Sequence, residues 1–428
     1  MKPAARLQST IEILHTVFEG QKPADTITTQ YFKARRYAGS KDRRSINERV
    51  YRILRHRAKL AWMADQVSWE HEPRQLVLID CLLQDEEVSA LFTGDQYCPA
   101  PLHPKEENAL AVLSEVNIEK APDHVRFEYP EWLDTDLRAS LRGHFEATLN
   151  ALNTEAPLDL RVNGLHTDPS NVIDLLQQQN IDVTKGEYSP YCLRSSKKIK
   201  LAGLKVYKDG LVDIQDEGSQ LIALLTEAKD CELVMDFCAG AGGKTLALAA
   251  EMNNQGMLYA LDISPKRLFK MRPRLERAGA TNVELHPIKS ESDPWLKQFE
   301  SRVERLLIDA PCSGVGAWRR SPESRWKMTS ELLEDLIGRQ ERILETAAHM
   351  VKPGGRLIYA TCSLLKRENE EQIEKFLTGH PDYHIKPMSD VWGDVLHTPS
   401  PFDGNFMSMR PDLHRSDGFF CAVLERKA

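Results

Sequence analysis

Cys312 and Cys362 each close a short apolar run, LLIDAPC beginning at Leu306 and LIYATC beginning at Leu357, and each is followed by serine. A thiolate is a nucleophile that can also leave again once bonded to carbon, so two thiols ending two buried strands offer one group to attack and another to assist release. An isolated cysteine is more often a small buried hydrophobe. That ordinary fate suits Cys81, Cys192, Cys231 and Cys421, which lack such flanks. The eight cysteines include no CxxC pair and no histidine partners at zinc spacing, so neither a metal nor a disulfide framework is expected.

A second constellation is DFCAGAGGKT, Asp236 to Thr245. Glycines at a strand-to-helix turn let a ligand approach backbone N–H groups at a helix N-terminus, and Cys238, Ala239, Gly240, Ala241, Gly242, Gly243 and Lys244 are the candidate cofactor contacts. The run imitates the end of a phosphate-binding P-loop, with LLIDAP as the magnesium-holding strand, but that pattern needs glycine where Cys238 stands. It also gives no task to Asp262, which ends the next predicted strand, GMLYALD, where a carboxylate can accept both hydroxyls of a ribose. A nucleoside cofactor is favoured over a nucleoside triphosphate.

These residues need a scaffold that brings strand ends together. From about Asp216 the sequence alternates strand and helix, which predicts a mostly parallel sheet with helices on both faces and ligands at the carboxyl ends of the strands. The long helix is expected from about Ser330 to Val351, and acidic helix residues from Glu368 to Leu377. Before this lie two other regions. Residues 1 to about 95 read as helices, with Ile46, Val50, Ile53, Leu54 and Ala61 near helical spacing and Trp62 following. After a proline-rich connector at Tyr97–Glu107 and a helix from about Glu131 to Asn153, LDLRVNG, TDPSNVIDLLQQQ and IDVTKG predict strand, capped helix and strand. The division expected is 1–125 helical, 126–215 a small α+β module and 216–428 catalytic.

The chain has 428 residues, 41% of them hydrophobic and 28% charged, with net charge -7, which excludes wholesale disorder and a protein that simply coats nucleic acid. No apolar run is long enough to span a bilayer, and a cytoplasmic protein without membrane partners is expected. The charge is uneven. Lys33 to Lys59 is strongly basic, and Arg43, Arg44, Arg52 and Arg55 are candidate phosphate contacts there. Lys197 and Lys198 belong to a second cluster, and Arg319 and Arg320, beside Trp318, to a third.

DFCAGAGGKT, LDISPKRL, LLIDAPCSGVGAWRRSPESRW and YATCSLLKRENE together resemble the successive motifs of the Nol/Nop/Sun RNA cytosine-C5 methyltransferases, and DRRSINERVYRILR is similar to the NusB-like domain that precedes the catalytic part in bacterial ribosomal RNA members. The resemblance implies a Rossmann-like class I methyltransferase sheet, an all-α NusB-like domain and a small α+β RNA-binding module. It implies S-adenosylmethionine as cofactor and RNA as partner, ribosomal RNA before transfer RNA, with a monomer expected. Cys362 is then the nucleophile that adds to C6 of cytosine, Cys312 assists breakdown of the adduct, and Asp309 hydrogen-bonds the base and lies beside the cofactor. Lys244 is a candidate to activate a thiol. Many members carry an aspartate after the third strand for the adenine; here VELHPIKSESD offers Ser290, or Asp293 if the loop is shifted. The rivals are a P-loop-like NTPase and a non-catalytic RNA-binding assembly factor.

Overall fold

Leu306 and Leu357, the first residues of the two thiol-bearing runs, are cross-strand partners in a parallel pair whose register continues to Asp309 opposite Ala360. This pairing lies within a computed structural model that describes residues 1–428 apart from Lys198. The chain divides into two compact units, residues 1–155 with 318–329 and residues 156–317 with 330–428.

The first unit is helical. Pro3–Glu19, Ala24–Ala34, Ser40–Arg55, Arg57–Asp65 and Pro73–Leu83 turn their apolar stripes inward. Ile46, Val50, Ile53 and Leu54 are buried together with Ile13, Leu14 and Leu76 to Ile79, while Ala61 and Trp62 are only half-buried. This compact unit extends to Glu155, and it takes in a segment from the catalytic half of the sequence. Arg325 explains the capture. Its fully buried guanidinium donates to the Glu128 carbonyl at 2.6 Å and to Asn153 Oδ1 at 2.7 Å. Glu323 accepts the Ala24 N–H at 2.9 Å, and Trp326 Nε1 donates to the Leu54 carbonyl at 3.3 Å. The single helix expected over 131–153 is two, Asp134–Leu141 and Phe145–Leu152, because Arg142 sits at φ 48°, outside helical geometry.

The second unit contains both remaining parts. Strands β1 (Leu158–Val162), β2 (Thr184–Lys185), β3 (Cys192–Ser195) and β4 (Val212–Ile214) form an antiparallel sheet in the order β2-β3-β1-β4 among the described residues. Asp168 caps the helix Pro169–Gln177 by accepting the Ser170 and Asn171 N–H groups. The junction IQDEGSQL is a buried ionic latch: Glu217 accepts the Tyr188 and Ser189 N–H groups, and Arg194 spans Glu217 and Asp159 at 3.1 and 2.7 Å.

The larger sheet comprises β5 (Leu233–Asp236), β6 (Met257–Asp262), β7 (Val283–Pro287), β8 (Val303–Asp309), β9 (Val351–Thr361), β10 (Tyr383–Ile385), β11 (Phe406–Met409) and β12 (Phe419–Arg426). Its order is β10-β12-β9-β8-β5-β6-β7, with β11 also on β12. The five strands β9-β8-β5-β6-β7 are parallel, and those beyond β9 are antiparallel. This is the Rossmann-like arrangement. Apolar clusters cover both faces, one centred on Val234, Leu307 and Ile358 and the other on Met235, Leu306 and Tyr359. Successive residues of one strand thus feed opposite cores, which is why these strands read as unbroken apolar runs. Among the described residues no helix is long and apolar enough to cross a membrane.

Candidate active site

The chain steps from β5 to β6 and β7 in one direction and then returns to β8 on the other side of β5. The reversal opens a crevice at the carboxyl ends of β5 and β8, where ligands of open α/β sheets collect. Asp309 ends β8 opposite Ala360 of β9, so Cys312, three residues on, meets Cys362, two residues on. The two Sγ atoms lie 3.4 Å apart. The Gly316 N–H donates to the Cys362 carbonyl at 3.0 Å and its carbonyl accepts from Gly418, which ties the two thiol loops to the turn before β12. A Cβ on Gly316 would stand 2.1 Å from the Gly418 carbonyl oxygen, so glycine is required by this close approach.

Lys244, on the helix Gly243–Glu251 that follows the glycine loop, is 7% exposed and reaches Asp309 at 2.7 Å. Burial alone would lower the ammonium's pKa, but Asp309, with Cys362 and Asp236 adding to it, holds it above the ordinary value. Lys244 therefore stays a cation, within electrostatic reach of Cys362. Cys312 differs: the hydrogen bond it shares with Cys362, burial and the charges of Cys362 and Glu368 push its thiol pKa well up. Asp236, fully buried, accepts from Thr245 Oγ1 at 2.6 Å, and burial first, then the nearby Asp309 and Asp262, raise its pKa to about 7.

A cavity of about 280 Å³ lies beside the thiols, lined by Asp262 and Ile263 from the end of β6, Ile288, Glu291, Asp309 and both cysteines. Its size suits a small ligand. Asp262 is oriented by accepting the Gly240 N–H at 2.9 Å and the Ser264 N–H at 2.7 Å, one on each oxygen, which leaves a lone pair on each for two ribose hydroxyls. Ile263 and Ile288 supply apolar walls for a base. The residues present thus fit a nucleoside cofactor. Of the glycine-loop residues, Cys238 lines the cavity and burial raises its thiol pKa well above the ordinary value. Ala239 donates its N–H to the Leu261 carbonyl and accepts from Gly242, while Ala241 offers its carbonyl to Arg274. Gly240 and Gly242 take φ of 57° and 87°, conformations that favour glycine, and Gly242 starts the helix from which Gly243 and Lys244 project. The P-loop alternative finds no support: Lys244 and Thr245, which would hold phosphate and magnesium, are engaged by Asp309 and Asp236.

The adenine end departs from the sequence expectation. Ser290 contacts Ser292, and Asp293 accepts the Lys289 and Trp295 N–H groups as a turn cap; neither lines the cavity. Glu291 does, alongside Arg339 and Arg267. All were missed because only short polar residues at a family position were considered; a carboxylate one residue further on carried no separate signal.

The basic residues are less uniform than their clustering implies. Arg44 and Lys197 are exposed. Arg43 donates to the Ala38 carbonyl, Arg52 makes a two-pronged pair with buried Asp80 at 2.7 Å, and Arg55 donates to the Arg319 carbonyl. Arg319 is buried and Arg320 half-buried, both within the helical unit, where Trp318 and Arg325 are buried as well. Lys198 lies outside the described residues.

Residues 223–425 match the family model of the 16S rRNA methyltransferase RsmB/F, and residues 129–202 match a ferredoxin-like domain of RsmF/B-like methyltransferases. The probable ribosomal RNA small subunit methyltransferase B of Synechocystis sp. is 32% identical over 303 residues, covering 70% of this chain and 67% of that protein. The ribosomal RNA small subunit methyltransferase B of Pasteurella multocida is 32% identical over 312 residues, covering 72% and 67%. Among solved structures, PH0851 shares the fold over 100% of this chain and 99% of its own at TM-score 0.80 and 24% identity. A methyltransferase homolog from Pyrococcus horikoshii shares 27% identity at TM-score 0.60 over 71% of this chain and 97% of that one. With two sulfurs beside a cavity of this lining and relatives matching 70% of its length or more, the chain belongs to the RsmB/F methyltransferase family, whose methyl donor is S-adenosylmethionine.

Proposed function

We propose that this protein methylates C5 of a cytosine in small-subunit ribosomal RNA through a transient bond between Cys362 and C6 of the base. The observation that carries the reading is the 3.4 Å approach of two sulfurs at the mouth of the cofactor cavity. Methylation of an exocyclic amine or a hydroxyl needs neither sulfur. The small-subunit substrate is carried over from the names of the relatives in Synechocystis and Pasteurella.

Bound S-adenosylmethionine supplies an electrophilic methyl group. Cys362, its proton given up to water, adds to C6 as a thiolate; the ring double-bond pair moves to C5, the negative charge that develops is met by the Lys244 cation, and the Asp309 carboxylate accepts a hydrogen bond from the exocyclic amine of the base. The C5 pair then takes the methyl. Release requires the C5 proton to pass to water, the pair it leaves to restore the C5–C6 double bond, and the C6–S pair to return to Cys362. Cys312, kept as a thiol, hydrogen-bonds that departing sulfur. The flipped base must leave its stack to reach this pocket.

Incubation with small-subunit ribosomal RNA and S-adenosylmethionine, followed by bisulfite sequencing, should reveal one new protected cytosine. Cys312→Ala should accumulate an RNA–protein adduct on denaturing gels and Cys362→Ala should form none; the opposite pattern exchanges their roles. Methyl incorporation without bisulfite protection overturns the C5 reading.

A further inference from the structure

Glu368 is a carboxylate with no exposure, at the end of a short turn just before the helix Glu370–Gly379. Its Oε1 accepts the Ser313 N–H at 2.8 Å and Gln340 Nε2 at 3.1 Å, and its Oε2 accepts both the Ser313 and the Ser363 hydroxyls. Ser313 and Ser363 are the residues that follow Cys312 and Cys362. One anion therefore grips the two thiol loops at equivalent positions, and the serine oxygens it draws together stand 3.2 Å apart. Its surroundings are equally fixed. Tyr359 donates to the Glu368 carbonyl at 2.6 Å, Gln340 also donates to the Pro311 carbonyl at 2.9 Å, and Asn369, next in sequence, holds the Ser363 carbonyl at 3.0 Å and accepts from Thr361 at 2.6 Å.

A buried carboxylate that receives four hydrogen bonds stays where those donors place it, and charge-assisted bonds of this kind are about twice as strong as neutral ones. Its charge also acts across the pair. Glu368 bears on Cys312, whereas the opposing cation, Lys244, bears on Cys362. The carboxylate that holds Ser313, the residue after Cys312, thus disfavours a second negative charge on that sulfur.

We propose that Glu368 is the positioning residue of this centre: its carboxylate sets the separation of the two sulfurs through Ser313 and Ser363, and its charge beside the Cys312 loop keeps that sulfur a thiol, in reserve for the release step. The second half rests on the reading of Cys362 as nucleophile; the first does not. No other residue among those described contacts both serines that follow the thiols.

Glu368→Gln keeps the reach and removes the charge. Iodoacetamide labelling of the protein without RNA, mapped by peptide mass across pH 6 to 10, should alkylate Cys362 about ten-fold faster than Cys312 in the parent and bring the two rates within about three-fold in the variant. The variant's kcat should fall about 30-fold with KM for RNA and affinity for S-adenosylmethionine each within about three-fold. Glu368→Asp, shorter by a methylene, should retain the labelling bias and still lose about ten-fold in kcat. Labelling at the parental ratio in Glu368→Gln, or kcat within about two-fold of the parent, overturns the proposal. If Glu368→Gln does not fold, Ser363→Ala decides: it leaves three of the four bonds and should lose about five-fold in kcat at unchanged KM, and parental turnover overturns the clasp. Because labelling needs neither RNA nor methyl transfer, failure of the clasp is distinguishable from failure of the cytosine reading, which shows as absent bisulfite protection in the parent.

Discussion

The crevice at the ends of β5, β8 and β9 sets buried charges, Lys244, Asp236 and Glu368, beside its two sulfurs and its cavity, whereas the helical stretch from Lys33 to Lys59 carries its charges on helix surfaces and pairs part of them for a different purpose. In the crevice Lys244, Asp309, Asp236 and Glu368 each act on a reacting or cofactor-facing group. In the helical unit Arg49 and Arg52 are spent on Asp80 and Glu86, so part of the basic run is structural reinforcement. Density of charge along a sequence therefore says little about function. What matters is whether a charge has been desolvated beside a group that must change its own charge state.

The contrast can be broken at four points, in falling order of effect. Cys362→Ser should lower turnover by about four orders of magnitude, because an alkoxide is far harder to form than a thiolate, while leaving the thermal transition of the protein in place. A serine variant that retains a tenth of parental activity would remove chemistry from this crevice. Asp236 supplies a pH-dependent test. Its ordinary carboxyl pKa near 4 is raised to about 7 in the folded state, so the folded state holds the proton more tightly. The stability this contributes is fully present below about pH 4 and is lost as pH rises through about 7, amounting to roughly 4 kcal/mol. Asp236→Asn, which still accepts from Thr245, should therefore gain on the parent in thermal denaturation between pH 5 and pH 8; parallel profiles would refute the shift.

On the helical side, Asp80→Ala strands the Arg52 guanidinium and leaves Arg49 only the Glu86 carboxylate, and should cost about 3 kcal/mol in urea unfolding, with affinity for S-adenosylmethionine unaffected. A loss below about 1 kcal/mol would return Arg49 and Arg52 to the pool of RNA contacts. The smallest effect belongs to the exposed residues. Arg44→Gln or Lys197→Gln should weaken RNA binding a few-fold at moderate salt and reduce the slope of log affinity against log salt by about one each, without a stability change. Unchanged slopes would place the RNA elsewhere.

Legibility in the sequence tracked how tightly chemistry restricts residue type. Cys312, Cys362, Asp262, Asp309 and the glycine loop stood out because addition to a pyrimidine ring, ribose recognition and a sharp strand-to-helix turn each demand particular side chains at strand ends. Glu368 did not. It was read as one of the acidic helix residues from Glu368 to Leu377, and only the contacts with Ser313, 55 residues earlier, and Ser363 make it a buried ligand of both thiol loops. The segment 318–329 was read as part of the catalytic loop for the same reason: its burial against Leu54, Glu128 and Asn153 depends on partners far away in the chain. Glu291 escaped notice because a cavity wall is a property of several loops at once.

The amino-acid order alone determined the alternation of strand and helix, the apolar runs that must be buried on both faces, and the set of groups able to attack carbon or hold a nucleoside. These follow from local periodicity and side-chain chemistry. Only the tertiary structure decided that Asp309 lies opposite Ala360, so that two sulfurs meet, that Glu368 clasps the residue after each of them, and that Arg49 and Arg52 of the basic run are consumed internally. The reason is that electrostatic consequence depends on distance and desolvation, and both are set by contacts between residues that the sequence keeps apart.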